Sequence, residues 1–382
     1  MPIRRAVRNV VQNRDAFTEV ARSGNLRVMR TLAGPALRGM VLQRGREGEG
    51  TTMPTAYGAH YDWGYAHDHP ALAHLAMQAR KGQWDPDTAL DWGTTVDPYD
   101  PVNELVDESM SPLGELAAYQ RLTDKEKRTQ RAALLAWMLS QFLHGEQGAL
   151  FVACQVTECV HWMDGKLYGS TQVMDEGRHV YVFDRYLSDK LEKRYTVNDN
   201  LYVILDALMS DRRWDIKFLG MQILVEGLAL GAFGTLRAST KEPLLRDLLR
   251  YVISDEARHV HFGVLALQEH YGGEIGGNEL REREDWAYEM CVLLRNRFLA
   301  HEYWEEHWAH TLSRTAWTKF VLESNYMERF RRTMFKRIVP NLKRIHLLSA
   351  RMRPHYERLG LLQFESGKAA PELTAEEVVA EG

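Results

Sequence analysis

The chain has 382 residues, of which 45% are hydrophobic and 26% charged; that usage is globular and excludes a mostly disordered polypeptide. A net charge of −4 excludes the basic balance of a nucleic-acid binder. Three cysteines (Cys154, Cys159 and Cys291) are too few for a disulfide framework, a four-cysteine zinc site or an iron–sulfur cluster.

Residues 1–50 carry ten arginines and four acids and read as a basic helical arm, either packed on the main domain or touching a partner. Residues 51–110 change character. Tyr61, Trp63, Tyr65, Trp84, Pro86 and Trp92 mark an irregular, aromatic-rich segment that wraps a scaffold. Residues 111–360 read as helix almost throughout, with apolar spacings of three and four and few breaks: Asp164-Gly165, 196–200, 239–243, 272–277 and Pro340. Residues 361–382 are an acidic tail, predicted to be disordered. No strand pattern is long enough to change the class, so the expectation is an all-α protein built on a four-helix bundle with additional helices. No apolar run approaches the roughly 18 residues that a membrane span needs, and the N-terminus carries no apolar signal region. A cytoplasmic protein without a membrane span is therefore predicted.

Two segments share one pattern. Asp175-Glu176-Gly177-Arg178-His179 and Asp255-Glu256-Ala257-Arg258-His259 both read D-E-x-R-H. Residues three apart share a helix face, so each Glu and its His can hold one metal ion together. Thirty residues before each of these glutamates stands another, Glu146 before Glu176 and Glu226 before Glu256. The midpoints fall near the predicted turns at Asp164-Gly165 and Lys241-Glu242-Pro243. Each pair should therefore face one another across an antiparallel hairpin, roughly 20 Å from its turn at about 1.5 Å per residue. The neighbours are apolar: Phe142, Leu143, Ala149 and Leu150 around Glu146, and Ile223, Ala229, Leu230 and Phe233 around Glu226. Carboxylates on such stripes are expensive to bury unless paired or metal-bound. Two divalent ions would balance four carboxylates, and a mixed imidazole and carboxylate shell suits iron or manganese better than calcium.

A Glu from each of two helices and Glu-x-x-His from each of two others is the ligand set of ferritin-like di-iron carboxylate bundles, and the sequence resembles that superfamily from Glu146 to His259. The resemblance implies that Glu146, Glu176 and His179 hold one iron and Glu226, Glu256 and His259 the other, with carboxylates bridging; these six are both the metal ligands and the catalytic set. It also implies that Asp175 hydrogen-bonds His259 and that Asp255 hydrogen-bonds His179, a role in keeping with the habit of ligating histidines, while Arg178 and Arg258 pair with carboxylates. The implied cofactor is two iron ions, with a manganese/iron pair as the alternative.

Within the superfamily the chain looks most like stand-alone di-iron oxygenases and bacterial multicomponent monooxygenase hydroxylases, and more distantly like the radical subunit of ribonucleotide reductase. It departs from each at single positions. Leu230 replaces the hydroxylases' threonine, Val252 the extra histidine of arylamine N-oxygenases, and Phe183 the radical subunit's tyrosine, with Tyr181 nearby. The resemblance implies an enzyme that activates O2 to hydroxylate, epoxidise or N-oxygenate a small organic substrate. Its alternatives are an acyl-carrier desaturase-like enzyme, a radical-generating subunit, or an iron- or peroxide-handling ferritin-like protein. Phe142, Leu150, Phe183, Leu230 and Phe233, one or two turns from the ligands, are the candidate substrate pocket or ordinary core. With no dinucleotide fingerprint and no P-loop, electrons should come from a separate reductase or ferredoxin. Trp84 or Trp92 could contact Asp255 and relay them, or simply pack on the bundle. The Trp-rich helices from 284 to 336 could pair as a homodimer, or pack within one chain.

Overall fold

The computed structural model describes residues 3–15, 17–18, 24–46, 51, 53, 55, 58–100, 102–108 and 111–381; parts of the arm and of the wrapping segment lie outside the described residues. The first long helix, α4 (Asp124–Cys159), starts where Thr123 and Glu126 close a reciprocal capping box. It ends at Val160, whose backbone is extended, and α5 (Met163–Arg185) begins three residues later. The turn thus precedes Asp164-Gly165, which lie inside the first turn of α5. Asp164 is occupied instead in accepting the backbone N–H of His69, at 3.2 Å. The two helices approach so closely that a Cβ on Gly169 would come within 2.4 Å of Thr157 Oγ1.

The second hairpin pairs α7 (Trp214–Ser239) with α8 (Pro243–Glu269). Glu242 caps α8 by accepting the N–H groups of Leu244 and Leu245, and Pro243 takes the first helical position, where its missing N–H costs nothing. Midway, Leu219–Val225 widens into a π-helical turn just ahead of Glu226. By length and composition Trp214–Ser239 could cross a membrane, a run the sequence reading passed over. Its most apolar window is 89% buried within the protein, and it is a core helix.

These four helices form a bundle, and others close its sides. The arm supplies α1 (Ile3–Gln12) and α2 (Leu26–Ala36). Its arginines clamp the arm to the domain: Arg38 makes a bidentate pair with buried Asp206 at 2.7 Å, and Arg46 reaches Asp199 and Glu302. The wrapping segment is not irregular throughout, because Pro70 opens a twelve-residue helix, α3 (Pro70–Lys81), which lies on α5 and α8. Helix α6 (Asp199–Ser210) is buried along almost its whole length, and α9 (Gly277–Arg297) packs on it and on the π turn of α7.

Two expectations are corrected. Pro340 does not break a helix but lies in the first turn of Ile338–Arg344, where its missing N–H is tolerated. Trp286, Trp308 and Trp317 are buried within this chain, and Trp304 is half-buried. The acidic tail is not disordered where described: α11 (Ala375–Glu381) packs on α8 with Val378 buried, and Arg237 donates to the Val379 carbonyl.

Helix α10 (Asn325–Phe335) crosses α7 at Gly231, where a Cβ would meet Met334 Cα at 2.9 Å and the Thr333 carbonyl oxygen at 3.2 Å. Both are backbone atoms and cannot swing aside. Gly231→Ala should therefore destabilise the protein by about 1–3 kcal/mol, read as a lower urea midpoint at unchanged slope.

Candidate metal centre

The two hairpins bring all six motif side chains into one buried cluster. Glu146 comes from α4, Glu176 and His179 from α5, Glu226 from α7, and Glu256 and His259 from α8. Ligand-capable atoms of Glu146, Glu176, His179 and Glu256 lie within 4.8 Å of one another, and so do those of Glu176, Glu226 and His259. Glu176 belongs to both groups. Its two oxygens stand 3.5 Å from His179 Nδ1 and 3.1 Å from His259 Nδ1. Glu256 mirrors it, 3.1 Å from His179 Nδ1 and 3.5 Å from His259 Nδ1. Each of these two carboxylates thus faces both histidines, while Glu146 lies beside His179 and Glu226 beside His259.

Both imidazoles turn Nδ1 to the cluster and Nε2 away from it. Nε2 of His179 lies 3.1 Å from Asp255 Oδ2, and Nε2 of His259 lies 3.2 Å from Asp175 Oδ2, so each hairpin anchors the histidine of the other. An Nε2–H donated to a carboxylate leaves the Nδ1 lone pair free to ligate. Arg178 and Arg258 each span both aspartates. Arg178 bonds Asp175 and reaches Asp255 at 3.3 Å, while Arg258 bonds Asp255 and reaches Asp175 at 3.7 Å. The residues following α3 complete this layer, with Gln83 Nε2 donating to Asp175 at 2.8 Å and Trp84 Nε1 donating to Asp255 at 2.8 Å. Trp84 stacks on Tyr251 at 4.8 Å. Trp92 does not reach the centre. It donates to the Pro86 carbonyl and lies beneath Arg185.

Two glutamines that sequence reasoning missed hold the carboxylates. Gln172 Nε2 donates to Glu176 and to Glu226, at 3.0 Å each, and Gln222 donates in turn to Gln172 at 3.4 Å. Each sits four residues before a cluster glutamate, the spacing that puts two side chains on one helix face. Tyr168, also missed, is fully buried with no hydrogen-bond partner for its hydroxyl. Tyr181 points outward to Asp87. Of the candidate pocket residues, Phe142, Phe183 and Phe233 pack on one another with centroids 4.7–6.0 Å apart. Leu230 is buried, and Leu150 is partly exposed.

The electrostatics of the cluster are those of a cation site. Burial, then the charge of Glu256, pushes the Glu146 carboxyl up to about 8. Burial, then Glu256 and Glu176, lifts Glu226 well above the carboxylate range. Burial opposes charge on both imidazoles but is outweighed. Asp255 and the surrounding glutamates hold His179 well above its ordinary value, and Glu176, Glu256 and Asp175 do so for His259. The orphaned atoms point the same way. Glu176 Oε2, Glu226 Oε2, both oxygens of Glu256 and His259 Nδ1 are buried without a hydrogen bond. Buried acceptors of this kind are costly unless something pairs them, and five of them gathered around one centre fit a pair of divalent cations.

No protein-family model matches the chain, and no curated protein matches it. Solved structures do. Two mutants of an R2-like ligand-binding oxidase with anaerobically reconstituted Mn/Fe cofactor are similar to it at 20% identity, with TM-scores of 0.42 and 0.40. Each comparison covers 74% of this chain and 94% of the other.

Proposed function

We propose that the protein is a di-metal oxidoreductase that activates O2 to oxygenate a small organic substrate, with electrons from a separate reductase or ferredoxin. The observation that carries this reading is the pair of bridging-disposed carboxylates, Glu176 and Glu256, each with one oxygen toward each histidine. Glu146 and His179 would complete one metal position, and Glu226 and His259 the other. When bound, two iron ions, or manganese with iron, supply the electrons and open coordination positions that O2 reduction requires.

The protein's own groups do the rest. Asp175 and Asp255 fix the orientation and tautomer of the imidazoles. Gln172 holds Glu176 and Glu226 in register through two hydrogen bonds. The Phe142, Phe183 and Phe233 wall keeps water from the centre. Glu146, whose carboxyl titrates near 8 without metal, is suited to hold or give a proton at its Oε2 as the charge of the centre changes. Trp84, between Tyr251 and Asp255, offers a route for electrons from the surface. The three free cysteines suit a reducing cytoplasm. The radical-generating alternative has one supporting observation, the buried and unpartnered Tyr168 hydroxyl.

The test is metal content and oxygen uptake. Protein loaded anaerobically with ferrous salt should hold about two irons per chain by elemental analysis and consume O2 on exposure. Glu226→Ala and His259→Ala should each lose stable two-metal occupancy and that uptake. Retention of two irons by either variant would overturn the ligand assignment, and uptake of iron far beyond two per chain would favour storage.

A further inference from the structure

One flank of the first hairpin is left uncovered. Leu167, Met174 and Tyr181 on α5 are 41%, 60% and 41% exposed, and Phe151 on the neighbouring helix α4 is 49% exposed. Ser170 and Gly177 fall between them, the first exposed and the second half-buried. Positions 167, 170, 174, 177 and 181 alternate three and four apart, the spacing of a seam at which two helices interlock. No described part of the chain fills that seam: a Cβ on Gly177 would meet nothing within 4 Å beyond its own helix. Glycine inside a helix is destabilising relative to alanine, and no packing within this chain asks for it here.

The flank also exposes no charge. Residues 147–157 of α4 include no Asp, Glu, Lys or Arg, and over 167–183 of α5 the three that occur, Asp175, Glu176 and Arg178, are buried around the metal cluster. Charged residues are 26% of the chain, so this face is depleted in the way the centre of an interface is. At about 1.5 Å per residue the stretch of α5 extends roughly 25 Å, and two helices side by side make a strip about 20 Å wide. That is on the order of 500 Å² per copy and about 1,000 Å² across a pair, where specific interfaces begin.

We propose that this flank pairs with the same flank of a second copy of the chain, α5 running antiparallel to α5 about a twofold axis between Met174 and Gly177. The sizes along the seam favour a second copy over another partner. One set of positions is large (Leu167, Met174, Tyr181) and the alternate set small (Ser170, Gly177). An antiparallel seam sets each set against the other, so Met174 of one copy fills the gap over Gly177 of the other, and Tyr181 the gap over Ser170. A parallel pair would set large against large. With no exposed charge on the strip, two copies meet without repulsion. The inner face of α5 carries Glu176 and His179, so the pairing places two metal clusters on either side of one seam.

Sedimentation of the full chain should give twice its 44.1 kDa mass at micromolar concentration. Gly177→Arg, which has open space within its own chain, should halve that mass without lowering the melting temperature. The register is tested by cysteines. Ser170→Cys combined with Tyr181→Cys should yield a covalent dimer on oxidation with diamide, since the two positions lie about 16 Å apart on one helix and can meet only across the axis. Neither single variant, nor the wild type with its own three cysteines, should crosslink. A monomeric wild type would overturn the proposal and leave the flank to a membrane or a different protein. A Gly177→Arg dimer would place the contact elsewhere, and crosslinking by Ser170→Cys alone would mean parallel helices; either result refutes it. If Gly177→Arg fails to fold, the paired cysteines decide, and absence of their crosslink counts against the proposal.

Discussion

Loading divalent cations at pH 7 should expel protons from the protein. Without metal, the Glu146 carboxyl is pushed up to about 8, and Glu226, His179 and His259 are held above their ordinary values, so the cluster favours bound protons. Metal ligation needs these groups deprotonated, so the ions displace protons from a buried space. Apparent affinity for metal should then rise with pH up to about 8, where the Glu146 carboxyl gives up its proton. An indicator dye in weak buffer, read during manganese(II) titration, measures the release directly. Release near zero would mean that the carboxylates do not face one another as the structure has them.

Stability follows with opposite signs in the two forms. Glu146 is raised from 4.5 to about 8 on folding, so across that window the native metal-free chain binds more protons than the unfolded chain. Its stability should fall as pH rises through the window, by on the order of 1.4 kcal/mol per pH unit for this group. Saturation with metal should reverse the slope, because the ions compete with those same protons. Urea midpoints of both forms at several pH values are the check.

Asp255→Ala should be among the most damaging single changes outside the ligands. That carboxylate is buried and shared by His179, Trp84, Arg178 and Arg258. Its removal strands the indole N–H of Trp84, takes from Arg258 its nearest carboxylate and leaves Asp175 alone to pair both guanidinium groups. The expected loss is about 3–5 kcal/mol, together with a 10- to 100-fold weaker hold on metal as His179 loses its anchor. The Asp255 carboxyl is kept below its ordinary range because His179 and Arg258 outweigh the effect of burial. Its stabilisation is therefore present above the ordinary aspartate pKa and is lost as the solution is acidified through the lowered value. The pairing of Asp87 with Arg185 on the surface, at 2.6 Å, provides the contrast. Asp87→Ala should cost below about 1 kcal/mol.

The core of the centre was legible because its signals are local or follow helical arithmetic. D-E-x-R-H places Glu and His on one face, and an equal offset of thirty residues puts the opposing glutamates level across each hairpin. The anchoring layer was half legible. The aspartates adjoin the motif, and Trp84 was one of two tryptophans expected to reach Asp255, but Gln83 follows α3, far away in sequence, and nothing near it marks its destination. Gln172 and Gln222 stood at a readable spacing and were passed over, since a glutamine on a helix face ordinarily meets solvent. The misread tail has a similar cause. Its composition is that of solvated chain, and a few contacts, among them Val378 packed on α8 and the Arg237 bond to the Val379 carbonyl, bring the segment to the domain.

The reciprocal anchoring of the two histidines has a consequence for assembly. Neither hairpin can complete its own half of the centre, since the aspartate that orients each imidazole belongs to the other. A fragment carrying a single hairpin would have to meet a twin of itself to recover both anchors, and would then do so with twofold symmetry. In the intact chain the same dependence makes metal capture report on docking, because a molecule whose halves have closed wrongly presents each histidine without its clasp.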